Sequence, residues 1–297
     1  MYPAEPRTFS VLLSDSFAVL KRQSNIISRT IFFFWLLPLI PVLLVLIPLL
    51  QQWPSDVTLE NINETTVAPE LSGLLLAVLF CMVIDGIFAA IGYTIMVSIA
   101  VSDREEESMS LREHLAPILK RNVWWVILIF LCAIIAGELV SAPFDDGTQA
   151  FGGIAYLIVS TAISSILGMK VYLSIPSLVL EDRGPIKAVE RSWQLTNGYF
   201  WQTMGRYFAI TMIGAAVIMV PFMFALVATT MVVKESGEGN ILGAMQDFGT
   251  MMTVFLFFLP SLILMMLVLV IEPIYRSEVF YDLRARKGEF DTEPEIV

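Results

Sequence analysis

The sequence is poor in the side chains that most often build catalytic and metal sites. Its 297 residues include one histidine and two cysteines, and only 15% are charged. Cys81 and Cys132 lie inside apolar stretches, where a thiol packs as a small hydrophobe, so no disulfide or redox role is expected. His114 stands beside Glu113 with no second ligand nearby, and adjacent helical residues point about 100° apart. We therefore predict no catalytic residue, no metal site, no cofactor and no enzymatic activity.

The excess of apolar residues places the chain in a membrane. Hydrophobic residues make up 57% of it and the mean hydropathy is +0.75, which leaves too little polar surface to cover a water-soluble globule of this length. The formal net charge of −10 argues against nucleic acid as a partner. The lipid bilayer is the expected surroundings.

Six apolar stretches are each long enough to cross a hydrocarbon core, which takes about 20 helical residues. They predict an all-α polytopic membrane protein with six transmembrane helices, arranged as three helical hairpins. The first is too long for the apolar core of a signal peptide and lacks a cleavage site, so it should remain as an anchor. The stretches cover approximately residues 30–50, 71–101, 123–140, 151–180, 207–233 and 250–275.

Lysine and arginine mark one side of the membrane, because cytoplasmic loops retain them. They precede the first span, separate spans two and three and spans four and five, and follow the last, whereas the opposite loops contain only Lys234. This pattern predicts that both termini are cytoplasmic. The bases on the cytoplasmic side include Arg7, Lys21, Arg22, Arg29, Arg104, Arg112, Lys120, Arg121, Arg183, Lys187, Arg191, Arg206, Arg276, Arg284, Arg286 and Lys287.

One pattern recurs three times: an amphipathic cytoplasmic segment, a helix outward and a helix back. The repeats cover approximately residues 8–101, 108–180 and 185–275 of a single integral membrane domain (residues 1–297), and residues 276–297 form a cytoplasmic C-terminal tail. Each amphipathic segment is predicted to lie in the inner interface, with its bases near anionic headgroups. The alternative is an ordinary solvated connecting helix. The predicted apolar faces are Phe9, Leu12, Leu13, Phe17 and Leu20; Leu111, Leu115, Ile118 and Leu119; and Ile186, Val189 and Trp193.

Three sequence elements resemble a known bacterial membrane family. They are the opening FSVLLSDSFAVLKRQ, the central SIPSLVLEDRGPIKAVERSWQLTNGYFW and the ending YRSEVFYDLRARKGEF. These elements are similar to the glycerophosphoryl diester phosphodiesterase membrane domain and its YciC-like relatives, over nearly the whole chain. The resemblance implies a protein of the bacterial plasma (inner) membrane. In some relatives this region is fused to a soluble phosphodiesterase domain, for which we expect no room here, and no catalytic residue can be transferred.

Three ionisable residues fall within predicted spans, where such groups normally find a partner or water. Asp85 is in the second span, Lys170 in the fourth and Glu272 near the inner end of the sixth. Lys170 and Glu272 lie at similar distances before the acidic residues that follow their helices, whereas Asp85 lies deeper. We therefore predict a Lys170–Glu272 pair. The alternative is that both side chains extend separately to the headgroups.

Three roles fit these observations. A non-catalytic membrane scaffold or accessory protein of the cell envelope, with a membrane-protein partner, fits the sparse polar interior best. A transporter or handler of a small or amphipathic, lipid-like substrate fits the repeated hairpins, the intramembrane charges and the prolines within the spans, which open a cavity or only shape packing. A membrane enzyme fits least.

Overall fold

The computed structural model describes residues 7–42, 44, 69–105, 109–119, 172–181, 184–235 and 248–289. These residues form helices and turns, and no strand occurs among them, so the predicted all-α class is confirmed for this part of the chain. The predicted third span and residues 151–171 of the fourth lie outside the described residues. The count of six spans and the three hairpins therefore stay predictions. Four described helices are long and apolar enough to cross a membrane: Ser24–Val42, Val83–Arg104, Phe200–Val232 and Met252–Arg286.

Most helices are short and amphipathic or long and apolar. Helix α2 (Ser24–Ile31) continues through a π-helical turn. Helices α7 (Phe200–Glu235) and α8 (Phe248–Arg286) both extend beyond the apolar stretches that predicted them. Residues 276–286, predicted to begin the C-terminal tail, continue α8 because no glycine or proline interrupts the chain between Pro273 and Gly288. The helices are α1 (Phe9–Arg22), α2 (Ser24–Ile31), α3 (Pro69–Arg104), α4 (Leu111–Pro117), α5 (Ser174–Leu180), α6 (Pro185–Thr196), α7 (Phe200–Glu235) and α8 (Phe248–Arg286), with the π-helical turn at Phe32–Leu36.

Local sequence explains both ends of α6. Pro185 occupies the first helical turn, where its fixed φ suits a helix and its missing N–H is not needed. Asn197 caps the end in an extended conformation, and Gly198 follows with φ of +91°, a value that L side chains rarely adopt. Both ends of this helix therefore follow from the residues that occupy them.

The π-helical turn has a local cause in Pro38. Proline has no N–H to donate to the carbonyl of Phe34, and its ring crowds that oxygen. The chain widens just before it, and the N–H of Leu37 donates to the carbonyl of Phe32 instead. This proline therefore opens its helix locally, as the sequence predicts.

Contacts between Cα atoms divide the chain into two units. The first comprises Met1–Thr30, Ala90–Thr211 and Val270–Val297, and the second comprises Ile31–Ala89 and Met212–Leu269. The core of the first unit contains buried apolar side chains from α1, α6, α7 and α8, together with the turn before α5. It includes Leu12, Tyr172, Leu173, Leu195, Ile210, Ile271, Tyr275, Val279, Phe280 and Leu283.

The described part of the second unit presents apolar side chains at its surface. Phe224 on α7 is 72% exposed, and Met219, Val220 and Ile263 are exposed by more than half. Water would not solvate such a surface of contiguous large apolar groups, but lipid chains match it. The exposed apolar side chains therefore support the membrane assignment, in addition to the length of the helices.

Two predicted apolar faces differ in detail from the structure. In α1, Leu12 is buried and Phe9, Leu13 and Leu20 pack on the protein core, whereas the prediction placed this face in the membrane interface. Phe17 is 46% exposed because it lies about 100° from the centre of the packed face. In α6, small and polar residues form most of the buried face, and the bulky Ile186 is exposed.

Gly214 on α7 permits a close approach to α8 in the second unit. A Cβ atom added there would lie 2.9 Å from Cγ1 of Val268, a β-branched side chain with little rotamer freedom. We expect Gly214→Ala to destabilise the protein by about 1–3 kcal/mol through overpacking. Thermal unfolding in nanodiscs measures this loss. Gly86→Ala is the matched control, since nothing lies within 4 Å of its added Cβ; equal effects of both substitutions would contradict the close approach.

Candidate functional site

The described charged residues of the first unit gather around the C-terminal half of α8. Asp282 accepts three hydrogen bonds: from Arg206 Nη1 at 2.7 Å, from Arg286 Nε at 2.8 Å and from the backbone N–H of Arg7 at 3.0 Å. The Arg206 and Asp282 side chains are only 6% and 2% exposed. Asp282 therefore connects α7, α8 and the segment before α1.

Glu278, one turn before Asp282, extends this cluster. Its Oε2 atom lies 3.2 Å from Nη1 of Arg7 and 3.3 Å from Nη1 of Arg104 on α3. Arg7 also pairs with the half-exposed Asp15 at 3.0 Å. We call this set the Arg7 network: Arg7, Asp15, Arg104, Arg206, Glu278, Asp282 and Arg286.

A second cluster fixes α6 against the end of α8. Arg191 donates from Nε to Glu181 at 3.0 Å and also bonds Glu289, which accepts from Arg284 Nε at 3.1 Å. Burial opposes ionisation of Glu289, but the hydrogen bonds from Arg191 and Arg284 lower its pKa below the ordinary value. The carboxylate therefore stays charged at neutral pH and holds the turn after α8.

One further ion pair joins α1 to α3. Arg22 donates from Nε to Asp103 at 3.1 Å, and Nε2 of Gln23 donates to the other carboxylate oxygen at 3.0 Å. Arg22 is 61% exposed, so this contact adds little stability by itself. It positions α1 beside the end of α3.

Glu272, one of the three predicted intramembrane residues, pairs within its own helix. It accepts a hydrogen bond from Arg276 Nε at 3.0 Å. The Arg276 guanidinium lies 4.3 Å from the ring centroid of Tyr172 and 5.3 Å from that of Tyr93. Two aromatic rings and a carboxylate thus surround one cation, a setting in which cation–π attraction adds to the ion pair.

Of the other two predicted residues, the structure describes only Asp85, and it lies outside this site. Lys170 lies outside the described residues, so its pairing with Glu272 stays a prediction. Asp85 on α3 is half-buried, and no residue in the described part of the chain pairs with it. Nor do the described residues contain a group of three His, Cys, Asp or Glu side chains that could hold a metal ion.

A cavity of about 370 Å³ opens beside the Arg7 network in the first unit. Its cationic side consists of Arg7, Arg206 and Arg286, and none of the described residues that line it carries a carboxylate. Phe9 and Trp201 form an apolar side. The cavity is therefore positively charged on one side and apolar on the other.

His114, the one histidine, is a buried structural residue of α4. It is 1% exposed, and its Nδ1 atom lies 2.9 Å from Oγ of Ser98 on α3. Of the predicted apolar face of α4, Ile118 is buried, whereas Leu119 is 49% exposed. The imidazole therefore occupies part of the buried side.

The burial of His114 predicts a pH effect on stability. Burial lowers its pKa below the ordinary value of 6.5, and the charge of Glu113 only partly opposes this shift. The folded protein keeps the imidazole neutral while the unfolded chain binds a proton, so this contribution is complete above pH 6.5 and is lost as the pH falls below it. The slope cannot exceed about 1.4 kcal/mol per pH unit.

Thermal unfolding between pH 8 and pH 5.5 tests this expectation. His114→Asn keeps a hydrogen-bonding group for Ser98 but does not titrate, so its unfolding curve should lose the pH-dependent step that the wild-type curve shows. An identical pH dependence in both proteins would contradict it.

Comparison with known proteins points to one family. Residues 147–293 match the model for the membrane domain of glycerophosphoryl diester phosphodiesterase. This part of the chain is similar to that membrane domain. The resemblance inferred from the sequence is thereby confirmed. The chain matches no curated protein and no solved structure.

The membrane-domain match includes much of the site. Arg206, Glu278, Asp282 and Arg286 all lie within it, whereas Arg7 lies outside. Sequence reasoning used the arginines only to orient the chain and missed their acidic partners. The available signals were the i, i+4 spacings from Glu272 to Arg276 and from Asp282 to Arg286, which place each pair on one helical face.

Proposed function

We propose that this chain is a non-catalytic membrane scaffold or accessory protein of the bacterial cell envelope. It lies in the plasma membrane with six spans and both termini in the cytoplasm. The family match supports an integral membrane protein, and the distribution of lysine and arginine supports the orientation.

The Arg7 network is the observation that carries the proposal. It contains seven ionisable residues that are linked one to the next by ion pairs and hydrogen bonds. These contacts connect the segment before α1 to α3, α7 and α8. Groups held in this way by multiple opposite charges are poor acids, bases or nucleophiles, because moving a proton breaks several contacts. They give the first unit a fixed shape, which a platform for another protein requires.

Crosslinking in intact membranes tests the scaffold role. A photoreactive residue replaces Arg112 on α4 or Lys187 on α6, whose side chains are exposed. We expect a discrete protein adduct, identified by mass spectrometry, that also forms when the identified partner and the purified chain are combined in nanodiscs. The photoreactive residue in place of the buried Ala188 is the control and should give no such adduct. Adducts to lipid alone from both exposed positions would contradict the proposal.

Activity measurements test the non-catalytic part separately. The purified chain in nanodiscs, incubated with a glycerophosphodiester, should release no more glycerol phosphate than empty nanodiscs. Release that depends on the protein concentration would contradict this part of the proposal.

The outer side of α6 supports contact with the bilayer. Ile186 is 83% exposed and Trp193 is 51% exposed, and the two lie seven residues apart on one side of the helix. The opposite side packs into the first unit, where Ser192 Oγ accepts a hydrogen bond from the N–H of Leu173 at 3.1 Å. An apolar outer side on a cationic platform suits the headgroup region of an anionic membrane.

Spin labels can test this interfacial position. A nitroxide attached at position 186 or 193 should collide more with oxygen, which concentrates in lipid, than with a water-soluble nickel complex. A label at Lys187, about 100° from Ile186 around the helix, is the matched control and should show the reverse preference. Equal accessibility to the nickel complex at all three positions would indicate a solvated helix.

A second candidate function is the handling of an amphipathic molecule. The cavity beside the Arg7 network favours it, because cationic and apolar walls meet there. Movement of a labelled lipid across proteoliposome membranes would distinguish handling from a scaffold role, which predicts the rate of protein-free vesicles.

A further inference from the structure

The cavity beside the Arg7 network has a cationic wall. Arg206 and Arg286 share the carboxylate of Asp282. Arg7 and Arg104 both contact Glu278, and Arg7 also contacts the half-exposed Asp15. Arg7, Arg206 and Arg286 line the cavity, whereas none of these three carboxylates does.

The guanidinium groups keep hydrogen-bonding capacity. A guanidinium has five N–H donors in a fixed plane. Within the described residues, Arg206 donates two hydrogen bonds, to Asp282 and to the carbonyl of Arg7. The Arg206 and Arg286 side chains are 6% and 9% exposed, so an anion that reaches them leaves bulk water and binds more strongly than at an open surface.

The remaining walls limit the kind of anion. Trp201, at the start of α7, is 79% exposed, although it lines the cavity together with Phe9. A volume of about 370 Å³ exceeds that required by a bare inorganic ion and falls in the range of small-molecule sites. An anion with an attached apolar part can contact both the cationic wall and the apolar wall. A free inorganic anion can contact only the cationic wall.

From these features we propose that the cavity binds a phosphate ester, with Arg206 and Arg286 contacting the phosphate oxygens and Trp201 covering the attached apolar part. Arginine suits this role because its planar fork matches two phosphate oxygens at once. The inference goes beyond the scaffold role and does not depend on it, since partner adducts and ligand binding are measured independently. A lipid headgroup and a soluble phosphate ester share this chemistry.

Gln202 offers a variant that removes the site while keeping the fold. Its Oε1 atom accepts a hydrogen bond from Arg286 Nη1 at 2.9 Å, on the cavity wall. A glutamate has the same shape, keeps this hydrogen bond and adds a negative charge to the cationic wall. Gln202→Glu should therefore unfold at the wild-type temperature or slightly above it, but repel an anion. Asn25→Asp, an exposed substitution with the same change in charge, is the matched control.

Gly205 gives a second variant that acts through volume alone. Nothing lies within 4 Å of a Cβ atom added there, and the residue lines the cavity. Gly205→Leu therefore places a bulky side chain at the cavity wall from a Cβ that meets no neighbour, and it removes a glycine from the interior of α7, which favours the helix. Loss of binding in both variants, with unfolding temperatures maintained, cannot result from misfolding.

Titration of the purified full chain in detergent tests whether the cavity binds a phosphate ester. The ligands are dihexanoylphosphatidylglycerol, glycerol 3-phosphate and inorganic phosphate, and the readouts are native mass spectrometry and the ligand-dependent rise in unfolding temperature. We expect saturable binding that weakens at least about tenfold in Gln202→Glu, through charge repulsion, and in Gly205→Leu, through lost volume, but not in Asn25→Asp. Tighter binding of the lipid than of glycerol 3-phosphate identifies a lipid headgroup as the source, and equal binding of these two identifies a soluble phosphate ester. Inorganic phosphate that binds as tightly as either ester would show that the apolar wall contributes nothing and would overturn the proposal. Absence of saturable binding by all three ligands, or equal binding by wild type and Gln202→Glu, would overturn the proposal.

Discussion

Replacing Asp282 with asparagine should lower the free energy of unfolding by about 3–5 kcal/mol, the usual effect of removing one partner from a buried ion pair. The substitution keeps the size of the side chain but removes the charge that Arg206 and Arg286 share. Arg206 then remains 6% exposed without a carboxylate. Reversible unfolding of the full chain in nanodiscs measures the loss.

Two further variants separate charge burial from a general effect of substitution. Asp15→Asn also removes a carboxylate that contacts Arg7, but this side chain is 42% exposed, so its loss should be below about 1 kcal/mol. Arg206→Met combined with Asp282→Asn should recover part of the stability, because the buried cation is removed as well. Strictly additive effects in this pair, or equal losses at Asp15 and Asp282, would show that the network is not coupled.

The elements that sequence predicted well are those that local chemistry determines. The long apolar runs predicted the described spans, because a helix that crosses lipid must be apolar over its length whatever it contacts. Helix α6 begins at Pro185 and ends before Gly198, since each of these residues restricts or permits backbone angles by itself. No knowledge of distant residues was needed.

The site could not be predicted in this way because its contacts join distant parts of the chain. The backbone N–H of Arg7 donates to Asp282, which lies 275 residues further along. Periodicity and hydropathy report which side of a helix is apolar, but not which helix lies opposite. Residues 276–297 were predicted as a cytoplasmic tail, whereas α8 continues to Arg286 and buries Glu278 and Asp282. The prediction of a tail therefore gave no indication of a site at these residues.

Helix α6 shows why an apolar face does not always indicate the protein core. Sequence grouped Ile186, Val189 and Trp193 as one side, yet the packed side consists largely of Ala188, Ser192 and Thr196. Small residues permit a close approach to a neighbouring element, while the bulky side remains available to the bilayer. Hydrophobicity alone cannot separate these two environments when lipid is present.

Arg276 gives the second large expected effect. Arg276→Met removes the hydrogen-bond donor of Glu272 and the cation between Tyr172 and Tyr93. Hydrogen bonds to charged groups contribute about 1.5–3 kcal/mol, and partly desolvated cation–π contacts add about 0.5–2 kcal/mol. We therefore expect a loss of about 2–5 kcal/mol in the same unfolding measurement.

A lysine at the same position separates the charge from the planar group. Arg276→Lys keeps the cation and the i, i+4 spacing to Glu272, but an ammonium cannot stack flat against the Tyr172 ring. It should recover the ion-pair part and leave a deficit of about 0.5–2 kcal/mol. Full recovery by lysine would show that the rings contribute no cation–π attraction.

The same residues decide between two partners for Glu272. Double-mutant cycles of Glu272→Gln with Arg276→Met, and of Glu272→Gln with Lys170→Met, measure each coupling separately. The 3.0 Å hydrogen bond predicts strong coupling to Arg276. Coupling to Lys170 as well would mean that one carboxylate is shared by two cations, as Asp282 is by Arg206 and Arg286. Additivity with Lys170 would leave Arg276 as the partner of Glu272 and remove the predicted Lys170–Glu272 pair.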